Sequence, residues 1–150
     1  MRKAVLGPSV SREDVVLLLA DGADGPYRLD RFRVMKGCFL VAQLGGEEWD
    51  QLFNFRAYDY GPFDSSIYGA RDSLGQAGLL QILEPGRHET YTLTDAGRGR
   101  VCELETIIGK EFADWVRGLG HWVSTRSFSS IAHWVYERYP AYATNSVLKT

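Results

Sequence analysis

Residues 70–97 read ARDSLGQAGLLQILEPGRHETYTLTDAG, and the order of signals in this stretch decides the fold. The stretch opens inside an amphipathic helix whose inward positions, Ile67, Ala70, Leu74 and Ala77, recur at spacings of three, four and three. Gly78 suits the left-handed position that ends such a helix. Leu80 and Ile82 then alternate with their neighbours, Pro85-Gly86 turns the chain, and Tyr91 and Leu93 alternate on the way back. Thr94 stands where the next helix needs a cap. The stretch therefore predicts a helix, a hairpin and a second helix in immediate succession.

Upstream, Ser11 is a candidate N-cap, with Glu13 and Asp14 in the positive first turn of a helix that runs through Val15–Ala20 to Asp21-Gly22. Leu29–Ala42 forms a second helical candidate. Leu29, Phe32, Met35, Phe39 and Ala42 make one stripe, with Val34, Cys38 and Val41 beside it, an arc wide enough for a largely enclosed helix. From Phe53 the period becomes two, which predicts a strand or extended loop leading into Tyr60-Gly61-Pro62. Asp64 is the expected cap of the third helix.

Downstream, Gly97 and Gly99 weaken the start of a helix in which Val101, Leu104, Ile108, Phe112, Trp115 and Leu119 form one stripe about five turns long. A last helix starts near Ser127, packs Phe128, Ile131, Val135 and Tyr139, and ends at Pro140. Three helices, a two-stranded hairpin and a long helix follow the winged-helix order. The expectation is a mainly α protein with a small β-hairpin: a single winged-helix-like domain over residues 1–150 with extra C-terminal helices.

Composition agrees with one domain. Of 150 residues 45% are hydrophobic and 24% charged, and 17 Lys and Arg face 19 Asp and Glu. A chain of this length buries roughly 70% of its unfolded surface and needs no disulfide or metal staple. Cys38 and Cys102 are both expected to pack rather than bridge, which suits a reducing cytoplasm. The longest apolar run, Val15–Ala20, falls far short of the ~20 residues that cross a bilayer, and no apolar leader follows Arg2-Lys3.

Tyr58-Asp59-Tyr60-Gly61-Pro62-Phe63 precedes the third helix, Ala77-Gly78-Leu79-Leu80 follows it, Tyr91-Thr92-Leu93-Thr94 closes the hairpin, and Tyr136 with Tyr139-Pro140 lies near the end. Together these pieces resemble the YwgA-like predicted regulators and the related Panacea (SocA-like antitoxin) domains, over roughly residues 11–146. The resemblance implies a winged-helix-like fold in a small cytoplasmic prokaryotic or phage-borne protein. It further implies either transcriptional regulation or antitoxin and protease-adaptor binding, and it transfers no catalytic residue.

The leading expectation is a DNA-binding regulator, with helix 64–77 in the major groove and hairpin 80–94 as the wing. Ser65, Ser66, Tyr68, Arg71 and Gln76 would face the bases, and Arg87, His88, Arg98 and Arg100 the phosphates. Two observations weigh against it. A net charge of −2 removes long-range attraction for DNA, and residues 44–62 replace the turn of about three or four residues found in a helix-turn-helix. That insert carries Glu47, Glu48, Asp50 and Asp59 among Trp49, Phe53, Phe55, Tyr58 and Tyr60. Either it covers the core or it forms the interface for a protein partner such as a toxin. A homodimer through the aromatic C-terminal helices is a further expectation. His88, His121 and His133 have no metal-ligand spacing, no phosphate loop is present, and an apolar setting shields Cys38, so neither catalysis nor a cofactor is expected.

Overall fold

The computed structural model describes residues 10–144; residues 1–9, with Arg2 and Lys3, and residues 145–150 lie outside them. The chain forms α1 (Arg12–Gly22), α2 (Arg31–Gly45), a single-turn α3 (Glu47–Asp50), β1 (Arg56–Tyr58), β2 (Gly61–Phe63), α4 (Ser66–Gln76), β3 (Leu80–Leu83), β4 (Thr90–Leu93), α5 (Asp95–Ile108), α6 (Lys110–Ser124) and α7 (Phe128–Arg138), followed by a 3-10 turn, Pro140–Ala143. It is mainly helical with two small antiparallel hairpins, β1–β2 and β3–β4. No helix among the described residues is long and apolar enough to cross a membrane.

The middle of α1 is apolar on every side and fully enclosed: Val15 to Leu19 are all buried. It lies against α6 so closely that a Cβ on Gly22 would stand 1.9 Å from the Arg117 carbonyl oxygen and one on Gly120 2.1 Å from that of Leu19. Only glycine permits this backbone-to-backbone contact. Asp14, buried in α1, receives Arg100 Nε at 3.0 Å and Nη2 at 3.1 Å, which ties α5 to the same helix. Arg100 is thereby removed from the expected phosphate contacts.

α2 is enclosed as expected, with every residue from Arg33 to Ala42 buried. It starts later than the stripe suggests. Asp30 caps it by accepting from the Arg33 amide at 2.8 Å, while Leu29 lies before the helix in a bend and its carbonyl accepts from the Tyr91 amide at 2.9 Å. The bridge between Asp30 and Thr90 gives β4 a second neighbour. The apolar side chain of Leu29 is buried from a non-helical backbone, which a periodicity argument cannot separate from a helical one.

The 70–97 stretch folds in the predicted order. Gly78 takes φ 74° after α4, and β3 and β4 pair with Leu80 opposite Leu93 and Ile82 opposite Tyr91. Thr94 accepts from the Gly97 amide at 3.0 Å and donates to the Gly78 carbonyl at 2.6 Å. Gly97 is a close-approach residue rather than a weakness: a Cβ there would lie 2.1 Å from the Leu79 carbonyl oxygen. Three details of α4 differ from expectation. Ser65 occupies the cap position, Asp64 instead accepts from the Ser66 amide at 2.9 Å, and Ala77 is exposed.

The expected five-turn stripe is two helices. Gly109, at φ 89° and ψ 146°, breaks the chain between α5 and α6. Val101, Leu104, Ile108 and Phe112 are buried within this one chain, and Trp115 and Leu119 are half-buried against its core, so the monomer's own core accounts for most of the stripe behind the expected homodimer. Cys102 is exposed, contrary to expectation, while Cys38 is buried.

Candidate binding cleft

An open cleft of about 570 Å³ lies where five segments meet: the start of α2, the β1–β2 hairpin, the first turns of α4, the tip of the β3–β4 hairpin and the start of α7. Its size falls within the roughly 300–1,000 Å³ of ligand pockets. The walls are aromatic. Tyr58 stacks on Phe63 with centroids 5.0 Å apart, Phe63 meets Tyr68 at 5.8 Å, Phe32 lies 4.1 Å from Phe128, and Tyr60 meets Phe128 edge-on at 6.0 Å. Tyr58, Tyr60 and Phe128 remain exposed, so Phe128 lines this surface instead of packing in the core as expected. The β1–β2 turn at Tyr58-Asp59-Tyr60-Gly61 aligns these rings, with Gly61 at φ 97° making the reversal.

Cations outnumber acids around the rings. Arg31, Lys36 and Arg87 line the cleft against Asp30 and Asp59, with the His88 imidazole beside them, and Asp30 is held by Arg33 Nη1 at 2.6 Å. Arg31 lies over the Tyr68 ring at 5.0 Å. Lys36 is buried. Its Nζ donates to the Pro62 carbonyl at 3.1 Å and stands 4.6 Å from the centre of the Phe32 ring, and no carboxylate among the described residues pairs with it within 4 Å. Burial of the ammonium pushes its pKa down from 10.5 to about 7.

The cleft brings together residues from both expected sets. Tyr68, Arg87 and His88 come from the DNA set, and Tyr58 and Tyr60 from the protein-interface set. Of the other DNA candidates, Ser65 and Gln76 are exposed on α4, and Ser66 donates through its hydroxyl to Asp64 at 2.7 Å. Arg98, outside the cleft, is ion-paired with Asp95. Arg71 is not a free reading side chain. Its Nη1 lies 2.7 Å from Glu89 and its Nε 3.0 Å from Asp72, and only 18% of its side chain is exposed. Glu89, itself buried, also accepts from the Gly86 amide at 2.9 Å and from the Tyr91 hydroxyl. Burial alone would raise the Glu89 pKa; hydrogen bonds from Tyr91, Gly86 and Arg71 outweigh it and hold the carboxyl below its ordinary range. Burial and the Glu89 carboxylate push the Tyr91 phenol up.

Trp49 does not belong to an interface. It is 1% exposed, packed beneath Gly45 and edge-on to Trp115 at 6.2 Å, so its acidic neighbours Glu47 and Asp50 lie on the outer side of a one-turn helix that Trp49 anchors. Phe53 and Phe55 are half-buried; Phe55 meets Phe39 of the core at 5.3 Å. Sequence reasoning missed Arg31, Phe32, Lys36 and Phe63 as lining residues. One signal was present: Lys36 interrupts an otherwise apolar arc in VMKGCFLVA. Burial pushes the Cys38 thiol up, with the nearby Asp64 charge adding to it, which keeps it protonated.

No protein-family model, curated protein or solved structure matches this chain.

Proposed function

We propose that this chain is a non-catalytic, cytoplasmic protein-interaction module of the antitoxin or adaptor type, which holds its partner in the cleft between the two hairpins. The observation that carries this reading is the state of Arg71. The one arginine on the outer face of α4 is committed to Glu89 and Asp72, so the helix that would enter a major groove offers serines, Gln76 and an acid in place of a cationic ridge. Three exposed aromatic rings, Tyr58, Tyr60 and Phe128, line the cleft instead, together with Arg31 and Arg87, which have no carboxylate partner among the described residues. Aromatic residues and arginine are the side chains that most often dominate protein–protein binding.

The test is co-purification of the tagged full chain from its native cell, beside Tyr60→Ser and Arg87→Ala. Both substituted positions are exposed, so the fold persists. A partner retained by the parent chain and lost by both variants supports the reading. Partner recovery independent of both substitutions overturns it.

A regulator that contacts DNA through the wing is the second reading, favoured by Arg87 and His88, exposed at the hairpin tip without an ion-pair partner among the described residues. It requires salt-dependent binding to DNA from around the protein's own gene, weakened by Arg87→Ala. Binding absent at low salt removes it.

A further inference from the structure

We infer that the cleft accepts an aromatic side chain adjacent to a carboxylate on the partner protein, with the ring packed against Tyr60 and Phe128 and the carboxylate against Lys36. This rests on the protein-interaction reading above and adds the chemistry of the segment that is bound.

Three observations converge on that chemistry. Tyr60 and Phe128 meet edge-on with centroids 6.0 Å apart at the cleft's open side, and both remain exposed. An incoming ring adds to this cluster in the offset or edge-to-face geometry that aromatic rings prefer. Lys36 has three N–H donors, yet its hydrogen-bond acceptor among the described residues is a single carbonyl, Pro62 O at 3.1 Å. A buried ammonium left short of acceptors binds an anion more strongly than an exposed one, because neither water nor salt screens it. Finally, Arg31, Arg87 and His88 stand around the same opening, while Asp30 is already taken by Arg33 and Asp59 alone opposes them. A volume of about 570 Å³ accommodates a side chain and its neighbouring carboxylate, not a folded surface.

The test titrates the full chain, followed by NMR chemical shifts, with N-acetylphenylalanine, which carries ring and carboxylate, and with N-acetylphenylalaninamide, which keeps the ring and loses the charge. The expected result is about tenfold tighter binding of the acid than of the amide, in line with the strength of charge-assisted hydrogen bonds, with shifts at Tyr60, Phe128 and Lys36. Lys36→Met, shown to be folded by circular dichroism, abolishes the preference while ring-induced shifts persist. Equal binding of the two probes, a preference that survives Lys36→Met, or shifts confined to another face overturns the inference. If a Tyr60- and Arg87-dependent partner is recovered and the probes show no preference, this inference fails and the interaction reading stands. If the probes behave as expected and partner recovery ignores both substitutions, the interaction reading fails, and with it the assignment of the bound ring and carboxylate to a partner protein.

Discussion

Lys36→Met is expected to stabilise this protein in mildly acidic solution and to lose that advantage as the pH rises. The lysine holds its proton to pH 10.5 when solvated and only to about 7 in the folded chain, where burial opposes the charge. The folded pKa is the lower one, so between about pH 7 and 10.5 the unfolded chain binds the extra proton and stability rises with pH. Below pH 7 both states are protonated and the full penalty is present. Three and a half pH units at ~1.4 kcal/mol each set that penalty at about 5 kcal/mol. Methionine removes it but forfeits the hydrogen bond to Pro62, about 1 kcal/mol. The variant is therefore expected to exceed the parent by about 4 kcal/mol at pH 6 and to match it within about 1 kcal/mol at pH 9.5. Urea denaturation of both proteins at half-unit steps measures the difference directly, and subtraction cancels titrations common to the two chains. Parallel stability curves over pH 6 to 9.5 would refute the assignment of a strained, buried ammonium.

Trp49→Ala should cost about 3–5 kcal/mol, as large aromatic truncations in cores do, and lower the thermal midpoint; an unchanged midpoint would return Trp49 to the surface. Glu89→Gln should destabilise by about 1–3 kcal/mol, since Arg71 and Tyr91 lose a shared anionic acceptor. In the parent chain the Glu89 contribution is complete above the ordinary carboxylate range and fades as acid titrates it, so the stability gap between parent and variant narrows toward low pH in a urea series. Gly109→Ala should cost about 1–3 kcal/mol, because φ 89° with ψ 146° is a backbone region held almost only by glycine; a variant of unchanged urea midpoint would mean that the α5–α6 break tolerates side chains.

The hairpin from Leu80 to Leu93 was legible because two local signals, alternation and a Pro-Gly turn, agree there without help from the rest of the chain. The break at Gly109 was not. Ile108 and Phe112 keep their helical spacing across it, so the apolar pattern runs on while the backbone turns. Trp49 was misplaced for a related reason: three acidic neighbours give a segment the look of a surface, yet a single helical turn suffices to bury Trp49 and expose Glu47 and Asp50. Leu29 shows the same ambiguity, since burial marks it as apolar and says nothing of its backbone. The cleft was hardest to see. Its rings and cations come from five separated segments, and only the fold brings Arg31, Tyr60, Arg87 and Phe128 to one opening. Lys36 alone announced itself, as a charge where the helix pattern demanded an apolar residue.

The glycine contacts between α1 and α6 also constrain how this fold can move. With carbonyls of each helix seated where the other lacks a side chain, sliding or rotation drives main chain into main chain, so the pair behaves as a rigid keel. The hairpins are tied down as well: Gly97 packs on the Leu79 carbonyl at the foot of β3, the Tyr91 amide bonds Leu29, and Lys36 donates to Pro62 in the other hairpin. Adjustment therefore falls to the exposed side chains of the cleft rather than to the backbone beneath them.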